Sequence, residues 1–193
     1  MTKLKPRLIL IHGSFGHPDE NWFPYLKLTF GENFKIVAPQ FPLKEKQTLT
    51  NWLEKLSEDI GELKDSDIVV GHSIGCAFIL QLLQTQSGNK KISTAIESAI
   101  LVSPFLDLLD IPEFDQVNKS FITGQLNWDA IKQTSKTFHI FHGENDPYVP
   151  ITMAEEIAKN LDVELTAIKN GGHLNESAGF TEFQQIKQII QNL

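Results

Sequence analysis

Asp67-Ile68-Val69-Val70-Gly71-His72-Ser73-Ile74-Gly75-Cys76-Ala77-Phe78 runs from a short apolar strand, through a Gly-x-Ser-x-Gly turn, into an apolar helix that extends to about Gln86. A serine at such a junction sits on a sharp turn that lifts its hydroxyl above the sheet edge. The flanking glycines answer a steric need, because strand and helix backbones close on each other with no room for a Cβ. The N-terminus of the helix also points backbone N–H groups at any negative charge that develops beside the serine. The stretch reads as a nucleophile elbow with Ser73 at its tip.

A serine hydroxyl is a weak nucleophile and needs a base, which in turn needs orienting. In a strand–elbow–helix architecture the chain order is serine, acid, histidine. Downstream, Thr137-Phe138-His139-Ile140-Phe141-His142-Gly143 reads as a strand, and Asp146 follows in the loop beyond it. Val163-Glu164-Leu165-Thr166-Ala167-Ile168 alternates as another strand, and His173 lies in the glycine-rich loop after it. Ser73, Asp146 and His173 thus stand in the required order, each at a strand end. Glu144 is the nearest rival for the acid, with Asp107 and Asp110 behind it. Asp-Pro also opens turns, so Asp146 could merely start one or cap the following helix.

The other five histidines call for blander readings. His12 and His142 each precede a glycine at a strand end and are expected to pack or bond to backbone near the site. Strand alternation turns His72 away from the nucleophile, His139 lies within a strand, and His17 sits in a loop. No histidine pair has metal-ligand spacing and there is no cysteine cluster, so neither a metal nor another cofactor is expected.

A tetrahedral intermediate needs donors for its oxyanion. One is expected to be the Ile74 amide, the residue after the serine. The second is expected from His12-Gly13-Ser14-Phe15-Gly16, the loop after the strand Arg7–Ile11, with the Ser14 amide ahead of that of Phe15. Phe15, Trp22, Phe105 and Phe121 are candidates to line an apolar substrate pocket, although each residue type is also a common core residue.

The chain has 193 residues, with 41% hydrophobic and 21% charged, which suits a single globular domain over 1–193. Its 17 basic and 24 acidic residues leave a net charge of −7, which argues against nucleic-acid and anionic-membrane partners. Cys76, the single cysteine, is expected to pack as a small buried residue, and its solitude fits a reducing, cytoplasmic setting. Leu8–Ile11 is too short for a signal sequence, and no stretch approaches the roughly 20 apolar residues of a membrane span. Strands are expected near 7–11, 35–38, 67–71, 98–103, 137–142 and 163–168, and helices near 20–30, 49–63, 74–86, 151–160 and 180–192. That alternation specifies an α/β protein: about six mostly parallel strands with helices on both faces. Residues 104–128 break the rhythm and read either as a short cap over the site or as a connecting helix and loop packed on the sheet.

Gly71-His72-Ser73-Ile74-Gly75-Cys76, Asp146-Pro147-Tyr148-Val149-Pro150 and Gly171-Gly172-His173 together resemble the small α/β-hydrolase family of bacterial YdeN and the animal retinoblastoma-binding serine hydrolase. Asn21-Trp22-Phe23-Pro24-Tyr25-Leu26, Trp52-Leu53, Phe121-Ile122-Thr123-Gly124 and Leu174–Phe180 extend the resemblance over almost the whole chain, closer to the bacterial branch. It implies a compact α/β-hydrolase fold and a triad of Ser73, Asp146 and His173. The expected activity is that of a serine hydrolase, a carboxylesterase on small esters. An aminopeptidase, thioesterase or acyltransferase could use the same triad, and a protein-binding module on a hydrolase scaffold is the non-catalytic alternative. A protein partner stays open. If His173 is the base, the rate should fall on the acid side of neutrality.

Overall fold

The computed structural model describes residues 5–87 and 95–193. Six strands, β1 (Arg7–Ile11), β2 (Lys35–Val37), β3 (Ile68–His72), β4 (Ile96–Val102), β5 (Ser135–Gly143) and β6 (Leu165–Ile168), form one sheet in the order β2-β1-β3-β4-β5-β6. Every pairing is parallel, so the expected "mostly parallel" sheet is wholly so. The order reverses between β1 and β3. In such open sheets the crevice at the carboxyl ends of the strands flanking that reversal is where ligands bind.

The sheet is buried on both faces because its apolar runs are nearly continuous. Leu8, Leu10, Ile68 and Val70 face one core with Trp22, Phe23, Phe183 and Ile186; Ile9, Ile11 and Val69 face the other with Trp52, Phe78 and Phe121. Strands covered on both sides read in this way rather than as a polar–apolar alternation. The first core is closed by α1 (Phe23–Phe30) and α7 (Gln184–Asn192), and the second by α2 (Leu49–Ile60), α3 (Ile74–Ser87) and α6 (Ile151–Leu161). Thr48 caps α2, its hydroxyl accepting the Asn51 amide at 3.2 Å. No helix among the described residues is long and apolar enough to cross a membrane.

Within 104–128 the chain runs irregularly to Ile111 and then forms α4 (Pro112–Ile122), with Pro112 in its first turn where a missing N–H costs nothing. Phe121 of α4 enters the core under α2 and α3, stacking edge-on to Trp52 at a centroid distance of 4.9 Å. The opposite end of α4 reaches toward the carboxyl edge of the sheet. A further short helix, α5 (Trp128–Lys132), leads into β5.

The amino edge of the sheet is held by one buried ion pair. Arg7 donates from Nε to Asp67 Oδ1 at 2.8 Å, and from Nη1 and Nη2 to the carbonyls of Ile60 and Glu62 at 2.7 and 2.8 Å. Asp67, 0% exposed, also accepts the Lys64 amide at 2.7 Å. The start of β1, the end of α2 and the start of β3 are thereby tied together. Breaking a buried pair strands the other charge, at a cost of about 3–5 kcal/mol. Asp67→Ala should lower the urea-unfolding free energy by about that much. A loss under about 1 kcal/mol would show that the pair is structurally dispensable.

Candidate active site

Ser73 follows β3 with φ +57° and opens α3. That conformation is strained by about 1–3 kcal/mol for a residue other than glycine, and the surrounding packing must enforce it. A Cβ at Gly75 would come within 2.6 Å of the Ile11 carbonyl oxygen, and one at Gly71 within 2.9 Å of the Gly75 backbone. The elbow therefore needs both glycines because β1, β3 and α3 meet there. The Ser73 amide donates to the Val102 carbonyl at 2.9 Å, which anchors the elbow to β4. Cys76 lies one turn into α3, fully buried, and burial pushes its thiol up.

His173 and Asp146 are brought together by loops after β6 and β5. His173 Nδ1 donates to Asp146 Oδ2 at 2.7 Å, and Asp146 Oδ1 accepts the Tyr148 and Val149 amides at 2.9 and 3.1 Å. Burial alone would raise the Asp146 carboxyl. Its hydrogen bond and charge interaction with His173, with the two amides, outweigh burial and hold it below the ordinary aspartate value. With Nδ1 protonated and facing the carboxylate, a neutral His173 presents an unprotonated Nε2. Ser73, His72 and His173 line one cavity of about 230 Å³. Glu144, the nearest rival acid, lies exposed.

His173 reaches this position because its loop crosses the ends of two strands. β6 is the edge strand, three places from β3. At about 4.8 Å per strand the loop must span roughly 14 Å. It passes so close over β5 that a Cβ on Gly143 would come within 2.0 Å of the Gly172 carbonyl oxygen. Three donors then pin it: His72 Nε2 at 2.9 Å and Ser103 Oγ at 3.2 Å to the His173 carbonyl, and Trp22 Nε1 at 3.0 Å to that of Leu174.

These contacts correct four of the expectations above. His72 does not face away from the site. It keeps the alternation of β3, on the face of Ile68 and Val70 against Trp22, but the His173 loop crosses that face. The His72 ring therefore lies 4.8 Å from that of His173 and lines the cavity with Ser73. Trp22 does not line the cavity but is fully buried beneath the His173 loop, stacked edge-on to Phe23 and Phe183. Phe121 likewise belongs to the core, and Phe15 sits outside the cavity, at its rim against Phe114 with centroids 5.8 Å apart. Of the four aromatic candidates, Phe105 lines the cavity, joined by Leu109, Phe114, Tyr148 and Val149. His17 is exposed beside Asp19.

The loop after β1 is braced by His12, whose Nε2 accepts the Phe41 amide at 3.1 Å while Nδ1 donates to the Gly13 carbonyl at 2.8 Å. The Ile74 and Ser14 amides find no acceptor among the described residues. The Ser14 hydroxyl donates to Asn118 Oδ1 at 2.6 Å. Ser103, Asn118 and Gln47 are site residues that local patterns could not single out, because each acts through a partner far away in the chain. Among the described residues no group of three or more His, Cys, Asp or Glu is arranged to hold a metal ion.

The histidines that brace the site are held toward the neutral form. Burial is the main cause in each case, lowering His12 to about 4 and His72 to about 3, and lowering His142 in the same direction. Unfolded histidine titrates near 6.5. Below that pH the unfolded chain binds protons that the folded chain refuses, so stability is present above 6.5 and is lost as the pH falls. His12 and His72 together should give a slope approaching about 2.7 kcal/mol per pH unit between roughly pH 5.5 and 4.5. Urea unfolding at successive pH values measures it, and a flat stability over that range would contradict neutral burial.

The geometry can be set beside known proteins. The family described as serine hydrolase matches residues 8–192. The chain is 28% identical over 193 residues to the putative hydrolase YdeN of Bacillus subtilis, covering 98% of this chain and 95% of YdeN. The crystal structure of the ydeN gene product superposes with a TM-score of 0.85 over 97% of both chains, at 26% identity. Rat serine hydrolase RBBP9 is 21% identical over 160 residues, 83% of this chain and 78% of that protein. Est1E from Butyrivibrio proteoclasticus, solved with ferulic acid, shares the fold at 18% identity and a TM-score of 0.69, over 97% of this chain and 90% of Est1E. The fold is that of an α/β-hydrolase, and with a family match running from the first strand to the last helix, the chain belongs to the serine hydrolase family.

Proposed function

We propose that this hydrolase is a carboxylesterase acting on small neutral esters through Ser73, His173 and Asp146. The observation that carries the reading is the 2.7 Å bond from His173 Nδ1 to Asp146 Oδ2, made by a histidine that shares its cavity with a serine on a strained elbow. Ser73 Oγ attacks the acyl carbon as His173 Nε2 takes its proton. The imidazolium that forms is stabilised by Asp146 and then protonates the departing alcohol. Water, activated by the same imidazole, attacks the acyl-enzyme and releases the acid. The Ile74 and Ser14 amides hold the oxyanion in both steps.

The cavity supports the substrate class. About 230 Å³ suits a small ester, and Phe105, Leu109, Phe114 and Val149 give an apolar wall to the acyl group. Residues 104–128 act as a short cap by supplying most of that wall. No lysine or arginine lines the cavity among the described residues, whereas Glu20 does, its carboxyl raised by burial. A lining with one glutamate and no cation offers an anionic acyl chain or a phosphate-bearing carrier no partner, which favours a simple esterase over a thioesterase on such carriers. Cys76, buried and free, is in keeping with a cytoplasmic enzyme.

Ser73→Ala should reduce hydrolysis of a short-chain p-nitrophenyl ester by about 10⁴-fold or more, with the fold unchanged by circular dichroism. Asp146→Asn should cost about 10⁴-fold in kcat, because the amide holds the wrong imidazole tautomer. Steady-state kinetics check both. Ester hydrolysis that persists in Ser73→Ala would overturn the assignment.

A further inference from the structure

Asn118 is 1% exposed, lines the cavity beside Ser73 and, among the described residues, has no hydrogen-bond partner for its Nδ2 amino group. The orientation of that amide is set by a chain of bonds. The Phe15 amide donates to Gln47 Oε1 at 3.4 Å, which fixes Gln47 Nε2 as the donor to Asn118 Oδ1 at 2.9 Å. Ser14 Oγ donates to the same oxygen at 2.6 Å. Turning the Asn118 amide over would set its amino group against that of Gln47. The oxygen therefore stays committed to Gln47 and Ser14, and the N–H groups are left over.

A buried donor without an acceptor is costly, and most buried polar groups in proteins are paired. Here the residue that carries the unused donor lines the space a substrate must enter. Its place in the cavity also says which part of the substrate it meets. The leaving group must face His173, which protonates it, whereas Asn118 is tied to Ser14, whose amide is the proposed oxyanion donor. Asn118 also lies one helical turn after Phe114, which walls the proposed acyl site, so the acyl portion is assigned to that end.

We propose, on the esterase reading above, that Asn118 is a specificity-determining residue. Its Nδ2 donates a hydrogen bond to an oxygen acceptor carried on the acyl chain close to the scissile carbonyl. The preferred substrates are then esters of short alkoxy-, keto- or hydroxy-acids rather than of plain alkanoic acids. A site built to bond such an oxygen rejects the isostere lacking it, because the buried donor is then left unpaired.

The test uses two isosteric esters, p-nitrophenyl methoxyacetate and p-nitrophenyl butyrate, which differ by an ether oxygen in place of a methylene. Each kcat/KM is divided by that ester's own hydroxide-catalysed rate constant, which removes the difference in intrinsic reactivity. The wild type should favour the methoxyacetate by about 10- to 100-fold after this correction. Asn118→Asp keeps the acceptor for Ser14 and Gln47 but replaces the amino group, and Asn118→Leu removes the donor outright. Both should bring the corrected ratio to within about threefold of one while butyrate is still hydrolysed. A corrected ratio near one in the wild type, or one that survives in both variants, overturns the role of Asn118 alone. No turnover of either ester by the folded wild type overturns the esterase reading and this inference with it.

Discussion

A histidine carried by the edge strand lines the same cavity as a serine carried by the centre of the sheet, and much of the site follows from closing that gap. The loop that bridges it passes over the ends of β5 and β4, so β5 has to end in Gly143, where any side chain would collide with the loop backbone. Loops are mobile unless something holds them. This one is held through the carbonyls of His173 and Leu174 by His72, Ser103 and Trp22. Ser103 reaches its acceptor from a left-handed backbone conformation, as Ser73 does on the neighbouring strand. Strain at the strand ends and hydrogen bonds to one loop are parts of a single arrangement.

The electrostatics follow from the same crowding. Burial keeps His12 and His72 uncharged, which suits their work: His12 needs an unprotonated Nε2 to accept the Phe41 amide. Asp146 differs because three donors converge on its carboxylate and offset its burial. The site thus holds one ionised carboxylate against one imidazole within a neutral polar shell, where that carboxylate can steady a developing imidazolium. The buried ion pair of Arg7 with Asp67 lies at the opposite edge of the sheet, where it fastens strands.

The strands were legible because a two-faced buried sheet demands continuous Val, Ile and Leu runs, and the loops after them were legible because glycine, aspartate and histidine cluster there. Ser73, Asp146 and His173 could be chosen from that punctuation alone. Trp22 and Phe121 could not be placed, since an aromatic residue suits a core and a pocket equally and only the packing of α1 and α4 decides. Alternation places His72 correctly on the face of Ile68 and Val70, but only the path of the distant His173 loop over that face brings it to the site. Asn118 and Gln47 left no local trace: their partners lie 104 and 71 residues away in the chain. The Arg7–Asp67 pair, 60 residues apart, was hidden for the same reason.

The most direct measurement is covalent labelling with a fluorophosphonate, read by intact mass and peptide mapping. The reagent phosphonylates an activated serine hydroxyl, with loss of fluoride, in proportion to its nucleophilicity, so it reports on Ser73, His173 and Asp146 acting together without assuming a substrate. A single adduct on Ser73, lost in Ser73→Ala and slowed by orders of magnitude in His173→Ala, is the expected result. An unlabelled, well-folded wild type, or an adduct on another residue, would contradict it.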